Sequence, residues 1–304
     1  MQTSKTSQVS RPIALVTARA ARNLDEDLPP LVVALTTLGR SVEVIDWDDI
    51  TVDWTRFAMA VLRSTWDYTD RLPEFLAWLE RAASQTLLHN PLAVVRWNVD
   101  KHYLTELARN DCATVPSEFV EPGESGVVAL QMFLRRYSNP EIVIKPAIGA
   151  GSRDAQRYDR DDQPAMLAHM SRLLERRRSV LLQPYLDRVD EQGETALMFF
   201  DGQFSHAIRK GPLLHRGSGP TRALFASETI MPRIPGDDEL RLTKQVLKSL
   251  PFAMPLYARI DLIRAPNGTP CVLELELAEP SLFFQYSEGS AMRLAELLVA
   301  RSSL

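Results

Sequence analysis

The chain has 304 residues, of which 45% are hydrophobic and 24% are charged, as is ordinary for a soluble globular protein. The net charge is −4 and the basic residues are scattered, which argues against a nucleic-acid-binding protein. No apolar run approaches the roughly 18 residues of a transmembrane helix, no hydrophobic signal core is visible, and Cys112 and Cys271 lack metal-ligand spacing, so we expect a cytoplasmic protein without membrane contact or zinc.

The first part of the chain alternates short apolar strands with amphipathic helices. Strands are predicted in PIALVTA, SVEVIDW, FAMAVLRSTWDY and TLLHNP, and helices in LPPLVVALTTLG and RLPEFLAWLERAAS. This alternation predicts a small open α/β sheet. We therefore expect residues 1–97 to form a separate α/β domain.

Polar residues follow the strands of this domain, at the edge where open α/β sheets bind ligands. The acidic loop after the first strand could reach the same crevice and pair with an ammonium group. Helix capping or surface pairing explains that loop at least as well. The candidate ligand contacts are Asp25, Asp27, Arg63, Ser64, Thr65 and Asp67, with Ser281 from the far end of the chain.

The stretch EIVIKPAIGAGSRD reads as a strand that ends near Lys145 and continues into a glycine-rich loop. It is not a Walker A loop, because the lysine precedes the glycines and no GKS or GKT follows. Backbone N–H groups around Gly149, Gly151 and Ser152 could nevertheless bind phosphate oxygens, with Lys145 beside them. A plain surface turn after a buried strand is the alternative.

A second apolar strand, VLLQPYL, runs into Gln183, Pro184, Tyr185 and Leu186. Proline has no N–H, so this segment could leave backbone groups available to a flat base, and Glu194 could accept hydrogen bonds from a ribose. A strand that simply leaves its sheet through a proline is the alternative.

The stretch YARIDLIRAPNGTPCVLELELAEPS reads as a hairpin turning at Asn267-Gly268. Symmetric reversal there places Asp261 opposite Glu274 and Arg259 opposite Glu276, with Leu273, Leu275 and Leu277 on the other face. Opposed carboxylates destabilise a sheet unless a cation lies between them. Hard oxygen ligands favour Mg²⁺ or Mn²⁺, whereas a solvated face paired to Arg259 or to lysines is the alternative.

The order of these motifs resembles the ATP-grasp superfamily. Over roughly residues 98–281 the chain is similar to glutathione synthetase and the ribosomal-protein glutamate ligases, although Glu276 stands where many members have Asn. Through LRSTWDY, IKPAIGAGSRD and LELELAEPSLF, the whole chain is most similar to the bacterial group that includes D-cycloserine synthetase. The resemblance implies an ATP-grasp fold: a Rossmann-like domain followed by two α+β subdomains, residues 98–186 and 187–304, that clasp ATP.

The resemblance also implies roles for individual residues. Lys101 and Lys145 should bind the α- and β-phosphates under a lid formed by 149–153. Gln183 to Leu186 should contact adenine, Glu194 the ribose and Lys210 the γ-phosphate. Asp261, Glu274 and Glu276 should hold two Mg²⁺ (or Mn²⁺) ions. Arg222, Arg259 and Lys210 are the catalytic candidates, which would stabilise an oxyanion or hold the substrate carboxylate.

The implied reaction joins a carboxylate to a nitrogen through an acyl phosphate, with release of ADP and phosphate. The favoured version cyclises O-ureido-D-serine, a small amino-acid-like substrate, to the antibiotic D-cycloserine. An intermolecular peptide or γ-glutamyl-type ligase, a small-molecule kinase and a non-catalytic nucleotide-binding module are the alternatives. The sequence leaves the oligomeric state open, with a homodimer as one option.

Overall fold

The computed structural model describes residues 11–215, 217, 219 and 229–302. Its first part contains a four-stranded parallel sheet of order β2-β1-β3-β4, as the alternating pattern predicts. The elements are β1 (Ile13–Thr17), α1 (Leu28–Thr37), β2 (Val42–Asp46), β3 (Met59–Ser64), α2 (Leu72–Gln85) and β4 (Leu87–His89).

Both faces of this sheet are covered, because successive strand residues point to opposite sides. Ile13 and Leu15 pack in one cluster with Leu31 of α1. Ala14 and Val16 pack in another with the aromatic residues of α2. Burial on both sides explains why β1 reads as an unbroken apolar run.

A second sheet of order β5-β8-β6-β7 is antiparallel throughout. Two helices cover one of its faces and bury Phe133 and Met170. The elements from the end of the first sheet onward are α3 (Leu92–Asn98), α4 (Tyr103–Arg109), β5 (Glu118–Val120), α5 (Gly126–Arg136), β6 (Glu141–Pro146), β7 (Gln156–Asp159), α6 (Gln163–Glu175) and β8 (Val180–Pro184).

The third sheet has five strands in the order β11-β10-β9-β12-β13, all antiparallel. The hairpin predicted at Asp201-Gly202 joins β9 and β10, with positive φ at both turn residues, as a type I′ turn requires. The elements are α7 (Arg188–Gln192), β9 (Glu194–Phe200), β10 (Gln203–Lys210), β11 (Ile230–Arg233), α8 (Asp237–Lys248), β12 (Tyr257–Arg264), β13 (Pro270–Glu276) and α9 (Ser290–Arg301).

The sequence predicts one helix through WNVDKHYLTELARN with Asn98 as its N-cap, and this prediction is wrong. The structure ends α3 at Asn98 and begins α4 at Tyr103. The buried Asn98 amide donates to the Leu275 carbonyl, and its oxygen accepts from the N–H of Leu277. Asn98 therefore fixes the carboxyl end of β13, a role that local sequence does not reveal.

The first and third sheets are joined by a buried tyrosine. The Tyr257 hydroxyl accepts from the Asn90 N–H at 3.2 Å. It lies 2.9–3.1 Å from the carbonyl oxygens of Leu62, His89 and Ala278. Each of these polar groups is buried, so the hydrogen bonds are needed to offset desolvation, and they fix how the two sheets meet.

Helix α9 returns to the first sheet. Leu294 and Leu298 are fully buried in the same cluster as Leu31, Leu35 and Ile13. The strands of the three sheets lie within residues 13–89, 118–184 and 194–276, and α9 contributes to the core of the first sheet. The division into residues 1–97, 98–186 and 187–304 stays a prediction. No helix among the described residues is both long and apolar enough to cross a membrane.

Candidate active site

The β12–β13 hairpin carries the most charged part of the site, and its predicted register is confirmed. Arg259 pairs with Glu276 and Asp261 with Glu274 across the two strands. An irregularity between Asp261 and Leu262 then shifts the register by one residue. The prediction that Leu273 shares a face with Leu275 is therefore wrong: Leu273 packs in a cluster with Cys271, whereas Leu275 is buried in another cluster with Val272.

Each carboxylate of the hairpin is paired with a cation. Asp261 accepts from Arg259 Nε at 2.9 Å and from Lys210 Nζ at 2.7 Å. Glu274 forms an ion pair with Lys101 at 2.9 Å, and Glu276 forms one with Arg259. The hairpin thus holds a network in which positive and negative groups alternate.

The network leaves the negative charge of Glu276 poorly compensated. Burial would raise the pKa of Asp261, but Arg259 and Lys210 hold it below its usual value. Burial also acts on Glu274, where Lys101 and Lys145 keep the pKa low. At Glu276, burial together with the two neighbouring carboxylates outweighs Arg259 and raises the pKa to about 8.

The poorly compensated charge of the Glu276 carboxylate bears on the predicted metal site. No group of three or more His, Cys, Asp or Glu side chains in the described part of the chain lies close enough together to hold a metal ion. Asp261, Glu274 and Glu276 nevertheless supply hard oxygen donors from adjacent strands, and a divalent cation would relieve the charge at Glu276. The donor chemistry therefore fits Mg²⁺, and the three-carboxylate site stays a prediction.

Two lysines line the cleft beside this network. Lys101 Nζ donates to the Gly149 carbonyl at 2.9 Å, which ties it to the glycine-rich loop. Lys145 lies near the end of β6 and forms no ion pair with any described residue. Burial lowers its pKa to about 8, with Glu274 acting in the opposite direction. Lys145 is thus available to an anionic ligand.

The predicted hinge after β8 forms an apolar wall of the cleft. Leu186 packs in a cluster with Val115 and Val143, and Leu273 lies against it. The Tyr185 N–H donates to the Glu141 carbonyl at 2.9 Å, so this N–H is not freed by Pro184 as the sequence suggests. A flat apolar ring would be in contact with carbon on this wall.

The structure brings most of the predicted nucleotide residues into one cleft. Asp261, at 1% exposed, lies beneath its surface, and Lys210 forms an ion pair with Glu194 at 2.8 Å. The predicted residues that line the cleft are Lys101, Lys145, Gly149, Gly151, Ser152, Gln183, Pro184, Tyr185, Leu186, Glu194, Lys210, Arg259, Glu274, Glu276 and Ser281. Arg222 lies outside the described residues.

The first-domain candidates occupy a different place. The Asp27 carboxylate accepts backbone N–H groups from Leu282, Phe283 and Phe284, and Arg63 donates to the Pro280 carbonyl at 2.7 Å. These side chains hold the segment after β13 against the first sheet. The candidates that do not line the cleft are Asp25, Asp27, Arg63, Ser64, Thr65 and Asp67.

Three of these enclosed residues have polar atoms without a hydrogen-bond partner among the described residues: Asp25 Oδ2, Arg63 Nε and Nη1, and Thr65 Oγ1. Burial raises the pKa of Asp25, with Arg63 opposing it. Ser64 instead pairs with Thr17 at 2.7 Å, and Asp67 accepts from the Trp47 indole at 2.8 Å. Only some polar atoms of these first-domain side chains therefore have hydrogen-bond partners among the described residues.

Sequence reasoning did not single out Trp66, Tyr68 and Glu279, which line the cleft together with Arg153 of the predicted lid. Arg153 follows the glycine-rich loop and donates to Asp70 at 2.8 Å and to Thr69, which links the loop to the first domain. The sequence offers one signal for Glu279, which lies two residues before the candidate ligand contact Ser281. The lid predicted over 149–153 includes Arg153, but its contact with the first domain was not predicted.

The cysteines take no part in the site chemistry. Cys112 and Cys271 are both buried and unpaired, and burial raises the pKa of Cys271 to about 12. A thiol this far from ionisation is a poor nucleophile.

Known proteins share both the sequence and the fold. Residues 13–90 match the family described as "D-cycloserine synthetase DcsG, N-terminal domain". The cycloserine biosynthesis protein DcsG of Streptomyces lavendulae is 41% identical over 295 residues, which cover 95% of this chain and 98% of that protein. The chain belongs to the D-cycloserine synthetase family.

Solved structures of this family and of other ligases agree. The crystal structure of D-cycloserine synthetase DcsG is 40% identical with a TM-score of 0.89, over 95% of this chain and 99% of that one. The ATP-grasp ligase PsnB, complexed with a precursor variant, Mg and ADP, gives a TM-score of 0.65 at 16% identity, over 96% and 99% of the two chains. D-alanine–D-alanine ligase from Bacillus anthracis, complexed with ATP, gives 0.67 at 15%, over 97% of each. The predicted ATP-grasp fold is confirmed.

Proposed function

We propose that this member of the D-cycloserine synthetase family closes O-ureido-D-serine to D-cycloserine in an ATP-dependent reaction that releases ADP and phosphate. The observation that carries the proposal is the 41% identity to DcsG along nearly the whole of both chains. The cleft supports it, because lysines and carboxylates from the second and third sheets and their connections meet there, beside Trp66 and Tyr68 of the first domain. We place this chemistry in the cytoplasm.

ATP would lie between the second and third sheets. Adenine would contact Gln183 to Leu186 on the apolar wall, and the ribose hydroxyls would donate to Glu194. Lys101 and Lys145 would bind the α- and β-phosphates beneath the loop of residues 149–153, and Lys210 would approach the γ-phosphate. Support comes from Lys145, which is buried beside the cleft without an ion-pair partner among the described residues.

Asp261, Glu274 and Glu276 would hold Mg²⁺, with two ions as the proposed number. When bound, the metal supplies positive charge that neutralises the triphosphate and lowers its repulsion of the substrate carboxylate. The protein's own contribution is the alternating network. Lys101 and Lys210 already neutralise Glu274 and Asp261, and both can turn to phosphate oxygens.

The chemistry then requires two displacements. An oxygen of the substrate carboxylate attacks the γ-phosphorus and ADP departs, which gives an acyl phosphate. The ureido nitrogen attached to oxygen attacks the acyl carbon, loses its proton and expels phosphate, which closes the five-membered ring. Addition of water to the carbamoyl group later releases CO₂ and ammonia. Arg259, with Arg222 from outside the described residues, would stabilise the oxyanion of the second step.

The parts of the chain divide these tasks. Residues 1–97 would form the substrate side of the cleft, residues 98–186 the lid and adenine wall, and residues 187–304 the metal and γ-phosphate site. Since Asp27 and Arg63 hold backbone groups of residues 280–284, their proposed contribution is to shape the substrate side without touching the substrate.

Incubation of the purified protein with ATP, Mg²⁺ and O-ureido-D-serine tests the proposal. We expect phosphate release and D-cycloserine formation without a second amine, and hydroxamate when hydroxylamine is added to trap the acyl phosphate. Phosphate release that requires a second amino acid would instead identify an intermolecular ligase. ADP formation without any hydroxamate would identify a kinase.

A further inference from the structure

Glu279 differs from the other carboxylates of the cleft. It follows β13 by three residues, lines the cleft with Glu276 and Ser281, and is 9% exposed. Ion pairs with lysine or arginine engage the other four carboxylates of the site, which are Glu194, Asp261, Glu274 and Glu276. Glu279 forms no ion pair with any described residue, and its carboxylate instead accepts from the Tyr68 hydroxyl.

The charge balance at this position favours a cation. Burial raises the pKa of Glu279 to about 7, although the Tyr68 hydrogen bond, Lys101 and Arg259 act against the shift. A buried carboxylate with no adjacent cation is costly, and a positively charged ligand would remove most of that cost. Among the described residues, the cleft therefore presents one carboxylate without an ion-pair partner, where a cationic ligand would be stabilised.

Aromatic side chains surround the same position. The Trp66 indole N–H donates to the Glu279 carbonyl at 3.2 Å, and Trp66 and Tyr68 both line the cleft. A carboxylate beside aromatic rings is the chemistry that recognises an organic ammonium group. Asp25 and Asp27, the residues predicted from sequence for this role, are enclosed behind the cleft wall.

We propose that Glu279, positioned by Tyr68, binds the α-ammonium group of the substrate. The inference rests on the proposed function for the amino-acid nature of that substrate. Arg259 lines the same cleft and donates to the Ser281 carbonyl at 3.2 Å, so it lies near the Glu279 segment. An ammonium group held at Glu279 therefore leaves the neighbouring α-carboxylate free to reach Arg259 and the γ-phosphate.

The test compares Glu279→Gln with the unmodified protein on two substrates: O-ureido-D-serine and 3-(ureidooxy)propanoate, which lacks only the amino group. With O-ureido-D-serine we expect KM to rise about 10-fold or more, as for loss of a charge-assisted hydrogen bond. We expect kcat to stay within about 3-fold, because the lost contact serves binding. With the deaminated analogue, the substitution should change neither constant.

Two further variants support the comparison. Glu288→Gln removes an exposed carboxylate nine residues along the same segment and should leave both substrates unaffected. Tyr68→Phe should raise KM for O-ureido-D-serine by a smaller factor and again spare the analogue. Binding of a fluorescent ATP analogue checks that Glu279→Gln is folded. If this variant fails to bind the analogue, the same two-substrate comparison with Tyr68→Phe tests the ammonium site.

Each outcome has a defined meaning. Equal rises in KM for both substrates would show a merely structural role, and loss of kcat with both would show a general base. Either result overturns the inference. Unmodified protein that releases no phosphate with O-ureido-D-serine would overturn the proposed function itself, whereas turnover indifferent to Glu279 overturns the ammonium site alone.

Discussion

The nucleotide side and the substrate side of the cleft use charged residues in opposite ways. On the nucleotide side, charges pair with charges on the cleft wall, as Lys101 does with Glu274 and Lys210 with Asp261. On the substrate side, Asp27 and Arg63 form hydrogen bonds with backbone groups of residues 280–284. A charged residue near a strand end is therefore not in itself a ligand contact. What distinguishes the two sides is that Lys101, Lys210 and Glu274 line the cleft, whereas Asp27 and Arg63 do not.

The largest expected effect comes from a substitution on the nucleotide side of the cleft. Glu274→Gln should lower kcat by about 10²- to 10³-fold, as when a preorganised electrostatic group is removed. Nucleotide binding should survive in part, because Lys101 and Lys145 remain. Phosphate release and equilibrium binding of an ATP analogue measure the two effects. Glu175→Gln, at an exposed position at the end of α6, is the matched control, and wild-type rates in Glu274→Gln would contradict the assigned site.

Lys145 gives the next largest effect and a pH dependence. Lys145→Met should raise KM for ATP by about 10- to 100-fold through loss of a hydrogen bond to a charged group. The lysine pKa of about 8 means that the ammonium form is present below pH 8 and is lost above it. KM for ATP should therefore rise between pH 7 and 9, and the Met variant should flatten that rise. Lys248→Met, exposed at the end of α8, should keep the wild-type profile.

The hydrogen bonds of Tyr257, which join the first and third sheets, sharpen the comparison because they involve only neutral groups. Tyr257→Phe should lower the free energy of unfolding by about 1–3 kcal/mol, since it leaves buried polar groups without their partner. Urea denaturation measures this loss, and kcat should stay within a few-fold of wild type. Tyr286→Phe, at a half-buried ring, should cost less than about 0.5 kcal/mol. Equal losses in the two variants would contradict the role given to the Tyr257 hydroxyl.

The smallest effect concerns the contact between the two sides. Arg153 is partly exposed and its partner Asp70 is largely exposed, so their ion pair should contribute only about 0–1 kcal/mol. Arg153→Gln and Asp70→Asn should each raise KM for ATP about 2- to 5-fold by loosening the glycine-rich loop. Steady-state kinetics and protease cleavage within 149–154 measure this. The double variant should behave like either single one, and additive effects would argue against a direct link.

Much of the nucleotide side could be predicted because its information is local. Strand alternation alone places Arg259 opposite Glu276 and Asp261 opposite Glu274. Lys145 and the glycine-rich loop are contiguous in the chain. The displaced side chain of Leu273 was missed because an irregularity in a ladder leaves no reliable mark in the sequence.

The substrate side resisted prediction because its contacts are distant in sequence. Arg63 and Pro280 are 217 residues apart, and Asn98 bonds to Leu277 across 179 residues. Nothing near Arg63 or Asn98 reveals that a backbone carbonyl or N–H so far along the chain will occupy the side chain. Tyr68 and Glu279 are also far apart in the sequence, so their contact could not be predicted.

The return of α9 to the first sheet has a consequence for biosynthesis. Ile13 and Leu15 are synthesised long before Leu294 and Leu298, which pack against the same sheet face. The part of that face that α9 covers must therefore remain exposed, or be shielded by a chaperone, until α9 has been made. Shortened polypeptides that stop before α9 should expose it permanently and aggregate.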